Sequence, residues 1–250
     1  MVNTGNGGNT NFRTVMNLAH GQLLKLVNAD FLFNSDALAF FCEAVEKCKA
    51  RKPQCFFSCG CGLNIREKVY GKFVDTDQFM HMVGYWVTWI GTFSMWKEDF
   101  DKYKDDEAGF KHLFWHIEET MDVLREKNLG WIDDRIFGRR QPLPEKDVSY
   151  NLYHNFYENL SDTLRPFRDD GTITQACYEW MQKDLMVRFF PWWMVAQEYN
   201  VSGYKFNQNI NLKDVILNAC KDRPYYQEVL AEYQKERDKL LARRKTDAEG

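Results

Sequence analysis

Apolar residues recur at helical spacing along most of the chain. Residues 12–28 carry apolar residues on one face of a predicted helix. A second such stretch begins with a cap at Asn34 or Ser35 and stops before Pro53, since the position preceding a proline disfavours helix. The two segments together predict a helical hairpin.

The same periodicity predicts further helices in the rest of the chain. The clearest covers residues 107–127, where one face is apolar and Gly130 follows as a stop signal. Only residues 54–74 break the pattern, with several glycines and a possible short strand. We therefore predict a mainly α fold, an irregular multi-helix bundle of about seven to nine helices with at most a short strand pair near 54–74. The other predicted helices cover 147–164, 172–190, 212–220 and 225–244, and one more begins at Pro191.

The two ends of the chain differ from its body in composition. Residues 1–11 are rich in Asn and Gly, which predicts a flexible polar arm. Residues 12–222 are predicted to form a single helical domain, with a possible internal boundary at 131–144. Residues 223–250 predict a projecting charged C-terminal helix and tail, whose narrow apolar seam suits docking on another chain. A solvated helix lying along its own core explains the seam equally well.

Residues 79–96 contain no Lys, Arg, Asp or Glu and are long enough to cross a bilayer. Their mean hydropathy is only roughly 0.8, because Trp, Tyr, Thr, Gly and His stand where a spanning helix carries Leu, Ile and Val. This composition favours a helix buried on most sides in the protein core. Contact with a partner or with a membrane remains the alternative.

Aromatic residues make up 16% of the chain, which is more than a core of this size requires. They concentrate around Trp86, Trp89 and Trp96, and again around Trp192 and Trp193. Since aromatic side chains dominate contact surfaces between proteins, these clusters predict interfaces. An aromatic-rich core is the simpler alternative.

The charge balance excludes some partners. A net charge of −3, from 33 basic and 36 acidic residues, creates no field that attracts nucleic acid or an anionic membrane. The N-terminal residues lack the apolar segment of a secretion signal, so the seven cysteines are expected to be reduced thiols. We therefore expect a reducing intracellular compartment or a virion, and not secretion by a signal peptide.

A cysteine cluster is the first candidate for chemistry. Cys55, Cys59 and Cys61 are close enough in sequence to share a tetrahedral zinc site. Cys42 and Cys48 face different sides of a predicted helix, which makes a common site with the other three difficult. Small buried or idle thiols are the alternative.

A His/Glu helix face is the second candidate. His112, His116 and Glu119 follow the i, i+4, i+7 spacing that brings side chains together on a helix, as in metal centres of helical bundles. The apolar stripe of the same helix points the other way, however. These residues are therefore expected to be solvated or interfacial, with a metal site as the alternative.

The chain contains no motif for a nucleophilic serine or for nucleotide binding. We therefore predict a non-catalytic structural or interaction subunit of a larger protein assembly, such as a virion connector or ring component, or an accessory subunit of an organellar complex. It is expected to bind other protein subunits as a homo- or hetero-oligomer and to need no cofactor. The alternative is a helical metalloprotein or metalloenzyme that uses zinc at the cysteine cluster or a metal at the His/Glu helix face. The residues predicted to form the interface are Trp86, Trp89, Trp96, Trp192, Trp193, Tyr226, Val229, Tyr233 and Leu240.

Overall fold

The computed structural model of the protein describes residues 10–63, 69–103, 113–141 and 145–249. The chain divides into two compact units. Unit 1 comprises Met1–Pro142 and Asp162–Tyr178, and unit 2 comprises Leu143–Ser161 and Glu179–Gly250.

The secondary structure mixes helices with short strands. The helices are α1 (Thr10–Asn17), α2 (Ala37–Cys48), α3 (Thr76–Val83), α4 (Lys97–Tyr103), α5 (Trp115–Lys127), α6 (Asn159–Asp169), α7 (Gln175–Asp184), α8 (Phe190–Glu198), α9 (Leu212–Cys220) and α10 (Tyr226–Glu249). The strands are β1 (Leu23–Lys25), β2 (Phe31–Phe33), β3 (Gln54–Phe57), β4 (Tyr70–Val74), β5 (Ser94–Trp96), β6 (Gly130–Asp133), β7 (Gly138–Arg140), β8 (Lys146–Val148) and β9 (Tyr204–Phe206).

The prediction of a mainly α bundle with at most a strand pair near 54–74 was wrong. Over the described residues the strands form four small sheets, so the fold is mixed α and β. Most strands are only three or four residues long, which is too short to show an alternating pattern. Every residue of β3, β5 and β6 is buried, so none of these strands alternates between exposed and buried positions.

A three-stranded sheet lies at the centre of unit 1. Its order is β3-β6-β4, with β3 parallel and β4 antiparallel to β6. Side chains extend it towards β5, since Gln54 Nε2 donates to Ser94 O at 2.9 Å and Ser94 Oγ donates to Cys55 O at 2.8 Å. The strand β5 in turn pairs with β1. Because β3 and β6 are parallel, their carboxyl ends lie at the same edge of the sheet.

Two apolar clusters fill unit 1 on either side of these strands. One is built around Phe93 and Trp115. The other includes Phe57, Trp96 and Phe137, and packs α2 against β3 and β6. Much of the aromatic content of the sequence is therefore used inside the unit, where each such ring removes a large apolar area from water.

Residues 79–96 do not form one helix. The helix α3 ends at Val83, and Gly84 has a φ of +55°, a conformation that terminates a helix and favours glycine. Two short 3-10 turns, Gly84–Thr88 and Ile90–Thr92, then lead into β5. The prediction of a single core helix here was wrong, and among the helices of the described residues none is long and apolar enough to span a membrane.

Unit 2 is mostly helical. The parallel pair of β8 and β9 is its sheet, and α8 packs against α9 and α10. The seam of α10 is partly covered by its own unit, because Val229 and Tyr233 are buried. Leu240, further along the helix, is half-buried.

Candidate functional site

The carboxyl edge of β3 and β6 gathers the polar side chains of unit 1. Ser58 follows β3, and its backbone N–H donates to Asp133 O at 3.1 Å, so the two strand ends stay in register. Asp134 follows β6 directly. The edge beyond the carboxyl ends of parallel strands is where ligands bind in α/β sheets. This edge is therefore the candidate ligand-binding region of unit 1.

Asp134 is held in place by the loop that leaves β3. Its Oδ1 accepts hydrogen bonds from the Ser58 hydroxyl and from the Gly60 backbone N–H, the latter at 3.0 Å. Cys59 and Gly60 both have positive φ, at 54° and 74°, and for Cys59 this is a strained conformation of the kind found at functional sites. No hydrogen bond is found for Asp134 Oδ2 among the described residues. One carboxylate oxygen is thus fixed and the other is available.

Asp133, the preceding residue, has a structural role. Its side chain is 0% exposed and accepts from Arg135, whose Nη2 lies 2.8 Å from Oδ2 and whose Nε lies 3.1 Å from Oδ1. The same guanidinium reaches Glu43 at 2.7 Å. Hydrogen bonds from Lys47 and Arg135 lower the pKa of Glu43 to about 2. Asp133 is therefore fully occupied by an ion pair inside the protein.

Lys25 brings an amino group to this region from the end of β1. Its Nζ donates to the carbonyl oxygens of Gly91 and Phe93, the second at 3.3 Å, and lies 5.9 Å from the ring centroids of Phe57 and Phe137. Burial lowers the pKa of Lys25 to about 7, although nearby cysteine thiols oppose the shift. The amine consequently changes charge near neutral pH.

Arg140 and Asp30 form an ion pair between β7 and the β1–β2 connection. Both Nε and Nη2 of Arg140 contact Asp30 Oδ2, at 3.0 and 2.6 Å. The guanidinium lies 6.0 Å from the ring of Trp89, whose Nε1 donates to Asn28 Oδ1 at 2.9 Å. For Asp30 Oδ1 and Arg140 Nη1, the described part of the chain provides no hydrogen-bond partner. Each member of the pair keeps one unused atom.

The thiol of Cys61 connects these groups. Its pKa is raised to about 12, mainly by burial and also by Cys59 and Asp134, although Lys25 and Arg140 oppose the shift. Cys61 is thus electrostatically coupled to both cations and to a carboxylate, and it stays protonated at neutral pH. We define the polar cluster as Lys25, Cys61, Asp134 and Arg140, which interact electrostatically, together with Asp30, the ion-pair partner of Arg140.

The cysteines predicted as zinc ligands are not arranged as a metal site. Cys55 is buried in β3, where burial and contact with Cys48 raise its pKa. Cys59 Sγ instead contacts Gly138 O at 3.1 Å. All seven cysteines are free thiols. Within the described ranges, no group of three or more His, Cys, Asp or Glu side chains is placed to hold a metal ion.

The His/Glu face of α5 is buried. His112 lies outside the described residues, whereas His116 and Glu119 are each 4% exposed. His116 Nε2 lies 3.1 Å from the carbonyl oxygen of Val87, which can only accept, so Nε2 carries the proton. Burial lowers the pKa of His116 to about 4. The expected solvated or interfacial position was wrong, because α5 is enclosed on more than its apolar stripe.

The neutral state of His116 predicts acid sensitivity. The unfolded chain takes up a proton near pH 6.5 that the folded chain takes up only near pH 4, so stability falls over that interval. At about 1.4 kcal/mol per pH unit the loss is about 3 kcal/mol. In urea unfolding, the free energy of unfolding of the His116→Gln variant should fall by about 3 kcal/mol less than that of the parent between pH 7 and pH 4. His154→Gln, at an exposed position, is the control and should follow the parent.

The residues predicted to form an interface differ in how deeply they are buried. Trp96, Trp193, Val229 and Tyr233 are buried within their own units. The half-buried ones are Trp86, Trp89, Trp192, Tyr226 and Leu240. Of this set, Trp89 lies at the polar cluster, through its contact with Arg140.

The sequence interpretation missed Lys25, Asp30, Asp134 and Arg140 as site residues. One signal was present: two adjacent aspartates follow the short apolar run that ends at Ile132, which is typical of a strand that leads into a site. Because residues 131–144 were predicted only as a possible internal boundary, no strand was expected before these aspartates.

Comparison with known proteins gives little further information. No protein family and no curated protein matches the chain. Among solved structures, S. aureus TarS 1-349 is similar, with a TM-score of 0.47 and 10% identity, over 94% of this chain and 70% of that one. Likeness at this level transfers no activity to this chain.

The prediction of a non-catalytic structural subunit, with its all-α, virion and connector description, was wrong. It was drawn from the absence of catalytic motifs and the abundance of aromatic residues, whereas the described residues form mixed α/β structure and bury Trp96 and Trp193.

Proposed function

We propose that unit 1 binds a phosphate-bearing small molecule at the polar cluster and acts on it as a group-transfer enzyme. The observation that carries this proposal is the Arg140–Asp30 ion pair, with Lys25 and Asp134 close enough to act electrostatically on the same thiol, Cys61, as Arg140 does. Asp30 and Asp134 each keep one unused carboxylate oxygen. The cluster lies beside the carboxyl edge of a parallel strand pair, where α/β sheets bind ligands.

The cations suit a phosphate for different reasons. Arg140 has an unused Nη1 on a guanidinium that Asp30 holds in one orientation, and a fixed fork recognises phosphate oxygens directionally. Lys25 sits between two aromatic rings, where its charge is poorly solvated, so a nearby anion favours the charged amine. Together they neutralise a phosphate that binds or leaves.

The carboxylates suit a divalent cation that accompanies the phosphate. Mg²⁺ is usually held by one or two carboxylates together with phosphate oxygens and water, and does not need a complete cage of protein ligands. Asp30 Oδ1 and Asp134 Oδ2 are the atoms available for this purpose. Such an ion would offset charge that develops on a phosphate leaving group.

The test is binding of inorganic pyrophosphate to the full chain by isothermal titration calorimetry, with and without MgCl₂. We expect Arg140→Ala to weaken binding at least tenfold, which corresponds to about 1.4 kcal/mol for one charged hydrogen bond. Arg139→Ala is the matched control, because neighbouring residues of a strand point to opposite faces and Arg139 is exposed on β7.

An equal loss of pyrophosphate affinity in Arg140→Ala and Arg139→Ala would contradict the proposal. It would show that pyrophosphate responds to the overall basic charge of β7 and not to the polar cluster. Absence of binding to the parent protein, with and without Mg²⁺, would contradict it as well.

A further inference from the structure

Unit 2 contains a cleft of about 420 Å³ between α8, α9 and the segment that follows β9. Its volume is within the range of small-molecule sites. Polar side chains from both helices line it, among them Glu198 and Lys213, together with the apolar Met194 and Ile210. None of the residues of the polar cluster lines this cleft.

The wall of the cleft is fixed by hydrogen bonds inside the unit. Gln197 Nε2 donates to Ile210 O at 2.7 Å, and Gln197 Oε1 accepts from the Leu212 backbone N–H at 2.8 Å. Asn211 caps α9 by accepting from the Asp214 backbone N–H at 3.2 Å. A wall held in this way loses little conformational freedom when a ligand binds.

Three polar groups form a triangle at one side of the cleft. The Tyr233 hydroxyl donates to Glu198 Oε2, while Lys213 Nζ donates to the same hydroxyl at 2.9 Å and lies 3.4 Å from Glu198. The hydrogen bond with Tyr233 raises the pKa of Lys213, so its amine stays charged. The opposite charges of Glu198 and Lys213 offset each other at this wall.

We propose that this cleft binds a neutral, hydroxyl-rich ligand, of the chemical class of a saccharide. Carboxylate oxygens of Glu198 and Asp214 accept hydrogen bonds, the Lys213 ammonium donates them, and hydroxyl groups satisfy both kinds. Ile210 provides apolar surface for the C–H face of a sugar ring. An anionic ligand would meet two carboxylates and only one ammonium, and it is therefore disfavoured. A cationic ligand is the competing occupant, which the test includes.

The test is saturation-transfer difference NMR of the full chain with glucose, N-acetylglucosamine, maltose and maltotriose. We expect saturable binding of at least one of these sugars. Asp214→Ala should weaken that binding at least fivefold by removing an acceptor from the rim. Asp222→Ala is the matched control, since Asp222 is an exposed aspartate outside the cleft lining.

The proposal is overturned if none of the four sugars binds, or if Asp214→Ala and Asp222→Ala bind them equally well. It is also overturned if spermidine or sulfate binds with sensitivity to Asp214→Ala while the sugars do not. Loss of pyrophosphate binding in unit 1 leaves these results unaffected, because the two sites share no residue.

Discussion

Replacing Trp96 with alanine is expected to lower the free energy of unfolding by about 3–5 kcal/mol. The side chain is only 2% exposed and packs in the cluster that contains Phe57 and Phe137. Its indole Nε1 also donates to the Pro53 carbonyl oxygen at 2.9 Å. The substitution therefore removes a large apolar surface, leaves a cavity and deprives a buried carbonyl of its donor. Urea unfolding followed by far-UV circular dichroism measures the loss.

Leu38→Ala is the control for the Trp96 variant. Leu38 lies in α2 and is 77% exposed, so its truncation should change stability by less than about 0.5 kcal/mol. The comparison decides between a core and an interface position for Trp96. A Trp96→Ala protein that is as stable as Leu38→Ala but has lost an oligomeric contact would contradict the core position.

Replacing Asp133 with alanine is expected to destabilise the protein by about 3 kcal/mol or more. Removing one member of a buried ion pair leaves the charge of the other without a partner. Asp133 is 0% exposed, and it binds the Arg135 guanidinium and backbone N–H at 2.8 to 3.1 Å through both carboxylate oxygens. Glu43 satisfies only one edge of Arg135. The measurement is again the urea midpoint at neutral pH.

Asp169→Ala is the matched control for Asp133→Ala. Asp169 pairs with Arg168, but its side chain is 59% exposed, so the loss should stay below about 1 kcal/mol. Equal stability of the two variants would contradict the structural role of Asp133. The comparison also separates Asp133 from its neighbour Asp134, to which the polar cluster assigns a ligand-binding role.

Local signals in the sequence predicted several helices well. The helix α9 covers Leu212–Cys220, the range that the sequence predicts, and the Asn211 side chain caps it. The helix α2 ends at Cys48, ahead of Pro53. Caps, prolines and helical periodicity act within a few residues, so the sequence displays them directly.

The strands could not be predicted in the same way, because their partners are distant in sequence. Residues 12–28 were predicted as one helix, but α1 ends at Asn17 and β1 pairs with β5, so that Leu24 lies opposite Met95. The parallel pair of β3 and β6 likewise joins Cys55 to Trp131. Such pairings depend on tertiary contacts that override the local preference of three or four residues.

The candidate site could not be predicted either, because its residues are far apart in sequence. Arg140 and Asp30 are 110 residues apart, and Ser58 and Asp134 are 76 apart. No spacing motif links them, because the site is assembled from separate strands and loops. The adjacent aspartates at 133 and 134 were visible in the sequence, but the structure was needed to show that one is buried in an ion pair and the other keeps an available oxygen.

The measurement that tests the central claim most directly is a crystal structure of the full chain with magnesium pyrophosphate bound. We predict ordered phosphate oxygens within hydrogen-bonding distance of Arg140 and Lys25, with the metal ion at Asp30 or Asp134. Pyrophosphate that is ordered elsewhere on the protein, with only water at Arg140 and Lys25, would contradict the assignment of the polar cluster as the ligand site.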